Sequence, residues 1–319
     1  MRTVRNRFLE ARTARDIDAQ VSKIFRGLGN PTSPIELADV RDLLELDRQY
    51  YSSTDDTPLR ELISKAKIAG RQVLMRPTLL IDVVRKFELK ALYIPDRKRI
   101  LIDEAQPKPK WRWYESHEII HSVVPWHAGA MMGDTEYSLT PECHDQVEAE
   151  ANYGAGRLLF LQGLFEEFVR GSKPSFSLVE EAKKKFGNTL TTSFWRLVET
   201  LDMPALGVVG KHPHHDRLEI DPLQPFRYFI RSRKFLEQFS SISEADTFQM
   251  VRSSCGWKKR GPLGSKEVLL SDDNGDEHIF LFETFSNTHD VLTLITYVRR
   301  HELAIAVPAG TAIGSTRER

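Results

Sequence analysis

Cysteine is nearly missing from this chain of 319 residues, which holds only Cys143 and Cys255. Two thiols so far apart build no disulfide framework; this fits a reducing compartment and excludes a small, disulfide-stapled secreted scaffold. Long apolar runs are missing as well. None approaches the ~20 residues a membrane-spanning helix needs, so a membrane is not an expected partner. Net charge is also absent, with 45 basic residues against 45 acidic ones. No global field therefore draws the chain toward nucleic acid or anionic lipid. The arginine-rich start, Met1 to Asp18, carries Glu10, Asp16 and Asp18. It lacks the serine richness and acid depletion of a transit peptide and reads as an amphipathic surface helix. The expectation is a cytosolic protein made at its final length. Its length suggests two domains with a helical extension.

Against these absences stands one dense stretch, Trp111 to Leu159, centred on His117-Glu118-Ile119-Ile120-His121. Residues four apart on a helix lie one above the other, so His117 and His121 can reach one metal ion, with Glu118 beside them as a general base. Two neutral imidazoles, a third protein ligand and an open position for water are the requirements of a catalytic zinc site. Glu148 is the favoured third ligand, with Asn152 one turn on as an orienting partner. Ala151 and Ala155 keep that helix surface small enough for a close neighbour. His127 competes for the same role through the near-metzincin spacing of His117 to His127. The glycine of that pattern is Val124 here, a residue for which positive φ is costly. Glu142 and His144 are further options. His127 and His144 otherwise read as exposed loop histidines, and Cys143 as a plain loop thiol. Zinc is the expected metal, although manganese or iron also suits two histidines and a carboxylate.

Taken in order, residues 3–28 show helical spacing, and Ser33-Pro34 reads as an N-cap with proline at the first position of a helix reaching Leu46. Tyr50 to Asp56 is polar and reads as a loop. Helices over Thr57–Gly70 and Thr78–Leu89 follow, then short strands at Ala91–Ile94 and Ile100–Asp103 about the turn Pro95 to Arg99. The HExxH helix should run from Trp111 to Val124, because Pro125 disfavours helical geometry before it. A loop reaches Cys143, where Met131 and Met132 read as gap-filling hydrophobic residues. The Glu148 helix is expected to continue to about Arg170. Beyond a linker at Gly171 to Pro174, Ser177–Phe186 and Thr191–Leu201 form a helical pair with helix-turn-helix spacing. Its second helix offers Arg196 among Phe194, Trp195, Leu197 and Glu199, which suits packing better than reading DNA. Strands dominate from Ala205, with Asp273-Asn274-Gly275-Asp276 as a hairpin turn. His212-Pro213-His214-His215-Asp216 reads as a polar loop.

The strand pair, the HExxH helix and a downstream Glu148-x-x-Ala151-Asn152 helix running into Leu158-Leu159 resemble the ImmA/IrrE family of metallo-endopeptidases. The resemblance covers roughly Leu59 to Leu201. It implies His117, His121 and Glu148 as zinc ligands, Glu118 as catalytic base, and a helix-turn-helix transcriptional repressor as the substrate, cut under stress. Where the family commonly shows Met-Pro, this chain continues Phe160-Leu161-Gln162, and Trp111 to Tyr114 is unusually aromatic. The fold class expected is α+β: a mainly helical zincin-like domain with a small sheet, then a C-terminal antiparallel α+β domain. The boundaries read 1–50 for an N-terminal helical extension, 51–170 for the peptidase domain, 171–203 for the helical pair and 204–319 for a regulatory or sensor domain. A rival expectation is a non-catalytic regulatory or binding protein on a zincin scaffold. Retention of Glu118 speaks against it, since a structural metal needs ligands but no base. The oxyanion stabiliser is unassigned among Tyr114, His127, Tyr137 and Tyr153.

Overall fold

A computed structural model describes residues 3–51, 91–94, 98–127, 141–216 and 220–301. The expected helices over Thr57–Gly70 and Thr78–Leu89, and Met131, Met132 and Tyr137, lie outside the described residues. Two sheets and the helices around them make the fold α+β. The chain opens with a short strand, β1 (Val4–Arg5), followed by α1 (Ala11–Gly27), α2 (Leu37–Leu44) and β2 (Asp47–Tyr51). β3 (Ala91–Ile94) and β4 (Arg99–Asp103) complete a small sheet in the order β2-β4-β3, with β2 parallel and β3 antiparallel to β4.

Two expectations fail in this N-terminal part. Tyr50 and Tyr51 are not in a loop: they end β2, in register with Ile102 and Asp103. Four of the five β2 residues are exposed on this edge strand, so the apolar alternation that marks a strand is missing from the sequence. Nor does Ser33 cap a helix. The Ser33–Pro34 peptide is cis, α2 starts only at Leu37, and the Ser33 hydroxyl donates to the Lys185 carbonyl at 2.6 Å. That bond satisfies a carbonyl left open at the end of a distant helix.

α3 (Lys108–Val123) carries the HExxH stretch and packs on the small sheet and on α4 (Pro141–Leu159). Pro109 in its first turn and Val124 as an extended C-cap before Pro125 set its ends. Residues 125–127 then open a new helical turn instead of a loop. α4 is small where it meets α3. Ala151 and Ala155 are fully buried, and a Cβ on Gly154 would fall 2.7 Å from Ile120 Cγ2.

α4 does not continue to Arg170. It ends at Leu159, and Leu161 (φ 54°) and Gln162 (φ 47°) turn the chain into α5 (Gly163–Val169). Positive φ is unusual for such residues, and partners from α1 hold the turn. Ser22 Oγ donates to Gln162 Oε1 at 3.0 Å, and Gln162 Nε2 donates to the Asp18 carbonyl at 2.8 Å. The helix stop is therefore a tertiary contact that no local pattern announces.

α6 (Phe176–Phe186) and α7 (Leu190–Thr200) form the helical pair, each with a hydroxyl N-cap, from Ser175 and Thr189. The larger sheet contains β5 (Ala205–Gly210), β6 (Phe226–Arg231), β7 (Gly261–Ser271), β8 (Glu277–Ser286) and β9 (Val291–Arg300). Two helices that sequence reading missed, α8 (Arg233–Gln238) and α9 (Glu244–Ser254), lie between β6 and β7. The sheet order is β1-β6-β5-β9-β8-β7, antiparallel except where β1 joins β6. α7 covers one face, with Phe194 and Val198 against Gly207, while Phe235, Phe239 and Phe248 fill the other. Buried on both faces, all six β5 residues are inaccessible.

One apolar core runs through Ile17 and Val21 of α1, Ile119 and Ile120 of α3, Phe165, Phe186, Phe194 and Leu292. The residues assigned to an N-terminal extension thus share a core with the metal-site helices. They also supply one strand to each sheet.

Candidate metal centre

One helical turn separates His117 from His121 on α3, and their Nε2 atoms lie 3.0 Å apart. α4 brings Glu148 to the same point, with Oε2 3.2 Å from His117 Nε2 and Oε1 3.6 Å from His121 Nε2. Ligand-type atoms of the three residues fall within 4.8 Å of one another, a group able to hold a metal ion. The fit can be tested. Bonds of about 2.0–2.1 Å in a tetrahedral zinc site separate neighbouring donors by about 3.3–3.4 Å. The His117–His121 separation of 3.0 Å lies near that value, as does the contact of each imidazole with one carboxylate oxygen, 3.2 Å from His117 to Oε2 and 3.6 Å from His121 to Oε1. His117 and His121 are buried or nearly so, whereas the Glu148 side chain is 39% exposed, so solvent reaches the group from the α4 side.

Each imidazole is held through its other nitrogen. His117 Nδ1 lies 3.1 Å from Asn152 Oδ1, the partner expected from its place one turn after Glu148. His121 Nδ1 instead meets His127 Nδ1 at 3.0 Å, and His127 Nε2 lies 3.0 Å from Glu150 Oε2. This corrects the reading of His127 as a rival ligand or an exposed loop histidine. It is fully buried, both its nitrogens are engaged, and it stands behind His121. Glu150, with 1% exposure, also accepts from Trp126 Nε1 at 2.6 Å and Gln146 Nε2 at 2.9 Å. α4 therefore presents two pairs at i,i+4 spacing. Glu148 and Asn152 address His117, while Glu150 addresses His127 and is itself held by Gln146. The second pair is legible in the sequence as Gln146-x-x-x-Glu150. His144 is exposed on α4 and Cys143 buried there; neither belongs to the His-His-Glu group. The Glu142 side chain lies outside the described residues.

The electrostatics follow from burial and mutual charge. Burial drives the Glu118 carboxyl up to about 7, and the Glu148 charge adds to it, against His117 and a backbone hydrogen bond from Tyr93. Burial alone would depress His117, but Glu148 and Glu118 hold it at about 9. His121 falls to about 4, chiefly through burial. The two imidazoles overcome burial at Glu148 and hold its carboxyl far below the usual range. A cation at the group would pull the Glu118 value down again.

A buried carboxylate held by two arginines positions α3 against α2 and the small sheet. Glu115, two residues before His117, accepts from Arg41 Nη1 at 2.8 Å and Arg48 Nη1 at 2.7 Å. Of the oxyanion candidates, the Tyr153 hydroxyl bonds Asp18 at 3.2 Å, and Tyr114 is half-buried with its phenol pushed up to about 12, mainly by burial. In α7, Arg196 is buried and its Nη2 donates to Glu166 at 2.7 Å, so it faces the core.

The His212-to-Asp216 stretch is a clamp. His212, His214 and His215 lie with Nε2 against the carbonyls of Lys258, Cys255 and Trp257, at 3.1, 2.9 and 2.7 Å. Its imidazoles meet backbone carbonyls, and His212 is buried.

These features define an α+β protein with a His-His-Glu group able to hold a metal. No known family model matches the sequence, and no curated protein does. Among solved structures, a Mycobacterium tuberculosis transcriptional regulator is similar with a TM-score of 0.49 and 13% identity, over 88% of this chain and 76% of that one. A likeness at that level carries no functional weight. No described helix is long and apolar enough to cross a membrane.

Proposed function

We propose that this chain is a zinc-dependent endopeptidase of ImmA/IrrE type, built on a zincin-like unit, that cuts a helix-turn-helix transcriptional repressor. The observation that carries the reading is a group of three ligand-type side chains within 4.8 Å of one another, with the buried Glu118 next to His117 in sequence. Zinc, when bound, supplies Lewis acidity for a water and for the scissile carbonyl. Every other role falls to the chain. His117 and His121 present Nε2 and Glu148 presents its carboxylate. Glu118 takes the proton of the attacking water and returns it to the leaving amine. Among the described residues β3 is an edge strand of the small sheet, and Tyr93 in it meets Glu118. A peptide added along that edge lies beside the base. The α6–α7 pair serves packing in this reading, and the C-terminal sheet serves substrate recognition or signal sensing.

The test joins metal content with proteolysis. Wild type and Glu118→Gln should each hold close to one zinc per chain, and Glu148→Ala should hold little. A co-expressed helix-turn-helix repressor should be cut by wild type and at least about 100-fold more slowly by Glu118→Gln. Wild type that takes up no zinc even when resupplied would overturn the reading. Zinc binding without cleavage of any such repressor would favour a binding protein on the same scaffold.

A further inference from the structure

Two ionisable side chains, His127 and Glu150, are almost completely buried beside the His-His-Glu group, and the mechanism above gives them no task. Burying a carboxylate and an imidazole is costly unless their hydrogen bonds are met. Here the bonds form a single directed chain. An ionised Glu150 can only accept, as it does from Trp126 and Gln146, so its third contact, with His127 Nε2, requires hydrogen on that nitrogen. A neutral His127 then has a bare Nδ1 and can only accept. His121 Nδ1, 3.0 Å away, must supply that hydrogen, and this leaves His121 Nε2 bare on the side of His117 and Glu148.

We infer that Glu150 and His127 are positioning residues: through two hydrogen bonds they fix His121 as the Nδ1–H tautomer, with Nε2 aimed at the metal position. The inference rests on the metal-site reading above, but part of its test does not. His117 is oriented by Asn152, an exposed neutral amide. His121 is oriented by a buried carboxylate acting through a second imidazole. The two ligands are thus supported unequally, and perturbing the buried arm should affect His121 alone.

Volume and hydrogen bonding can be separated by choice of substitution. His127→Leu fills the buried space but cannot accept from His121. His127→Gln keeps a carbonyl oxygen for that hydrogen. With zinc affinity measured by chelator competition, His127→Leu should weaken binding about 10–100-fold, the usual effect of losing an outer partner. His127→Gln should recover most of it, and Glu150→Gln should lie between. A packing role predicts the reverse order, with leucine tolerated and glutamine worse. Long-range ¹⁵N correlation spectra of the imidazoles in metal-free protein give the second readout: His121 should carry its hydrogen on Nδ1, and Glu150→Gln should mix in the Nε2–H form. Affinities within threefold for all variants would overturn the relay while leaving the metal site standing. An Nε2–H tautomer on His121 in wild type would overturn it too, whether or not zinc binds. Failure of wild type to bind zinc would remove the site that the relay serves.

Discussion

Gly154 is where the metal group is most exposed to a change that touches none of its ligands. A Cβ built there lies 2.7, 2.9 and 3.0 Å from the Cγ2, Cγ1 and Cδ1 atoms of Ile120. Ordinary carbon contacts sit near 3.5–4.0 Å, so alanine at 154 requires α3 and α4 to separate locally by about 1 Å. The ligands straddle that boundary, with His117 and His121 on α3 and Glu148 on α4. Adding the shift to the 3.2 and 3.6 Å separations gives about 4.2–4.6 Å, too wide for bonds of about 2.0–2.1 Å. Overpacking costs about 1–3 kcal/mol, offset by about 1 kcal/mol from alanine's better helix propensity. Gly154→Ala should therefore lose zero to about 2 kcal/mol of stability and at least about tenfold in zinc affinity. Chelator competition and thermal melting read the two effects separately. Adding Ile120→Ala should restore zinc binding despite a further loss of stability of about 2–5 kcal/mol, which a double-mutant cycle would report as coupling between the positions. The reasoning fails if Gly154→Ala binds zinc like wild type and melts higher.

Glu115→Gln should cost up to about 3 kcal/mol, the low end for a buried pair because Arg48 is partly exposed, and urea unfolding at pH 7 would measure it; no change would mean that Arg41 and Arg48 find other partners. The His212 clamp predicts a pH dependence. Burial and the neighbouring His215 and His214 charges depress its pKa despite the Lys258 carbonyl, and its Nδ1 accepts from the backbone N–H groups of His214 and His215. A histidine depressed in the folded state contributes fully above its unfolded pKa of about 6.5. That contribution is lost as pH falls from there toward the lower folded value, because the unfolded chain takes the proton first. Melting temperature should drop between pH 7 and 5, and His212→Asn should flatten the drop; an equal slope in both proteins would assign it to other groups.

The elements legible in the sequence are those whose signals are local. Pro109 and Pro125 bound α3 within three residues of expectation at each end, and the Asp273-to-Asp276 turn joins β7 to β8 with Gly275 at φ 87°. Both depend on backbone restrictions of a few residues. What stayed hidden depends on distant partners. β2 is a strand because β4 pairs with it, and α4 stops because Asp18 and Ser22 hold Gln162. The same division runs through the candidate site. The i,i+4 histidines needed only one helix to be recognised, and Glu148 one more helix packed against it. His127 was legible as a residue but not as a role, since its surroundings are set by Glu150, 23 positions on.

That asymmetry bears on how the N-terminal residues should be regarded. Arg41 and Arg48 grip Glu115 on the HExxH helix, Asp18 and Ser22 shape the end of the Glu148 helix, and β1 joins the larger sheet. Each ligand-bearing helix is thus anchored by residues that sequence reading set aside as an extension. Removing residues 1–50 would leave Glu115 buried without its two arginines and the turn at Leu161 and Gln162 without its support. A truncation designed from motif boundaries alone would therefore damage the centre it was meant to isolate. Activity of the proposed peptidase is properly tested on the full chain.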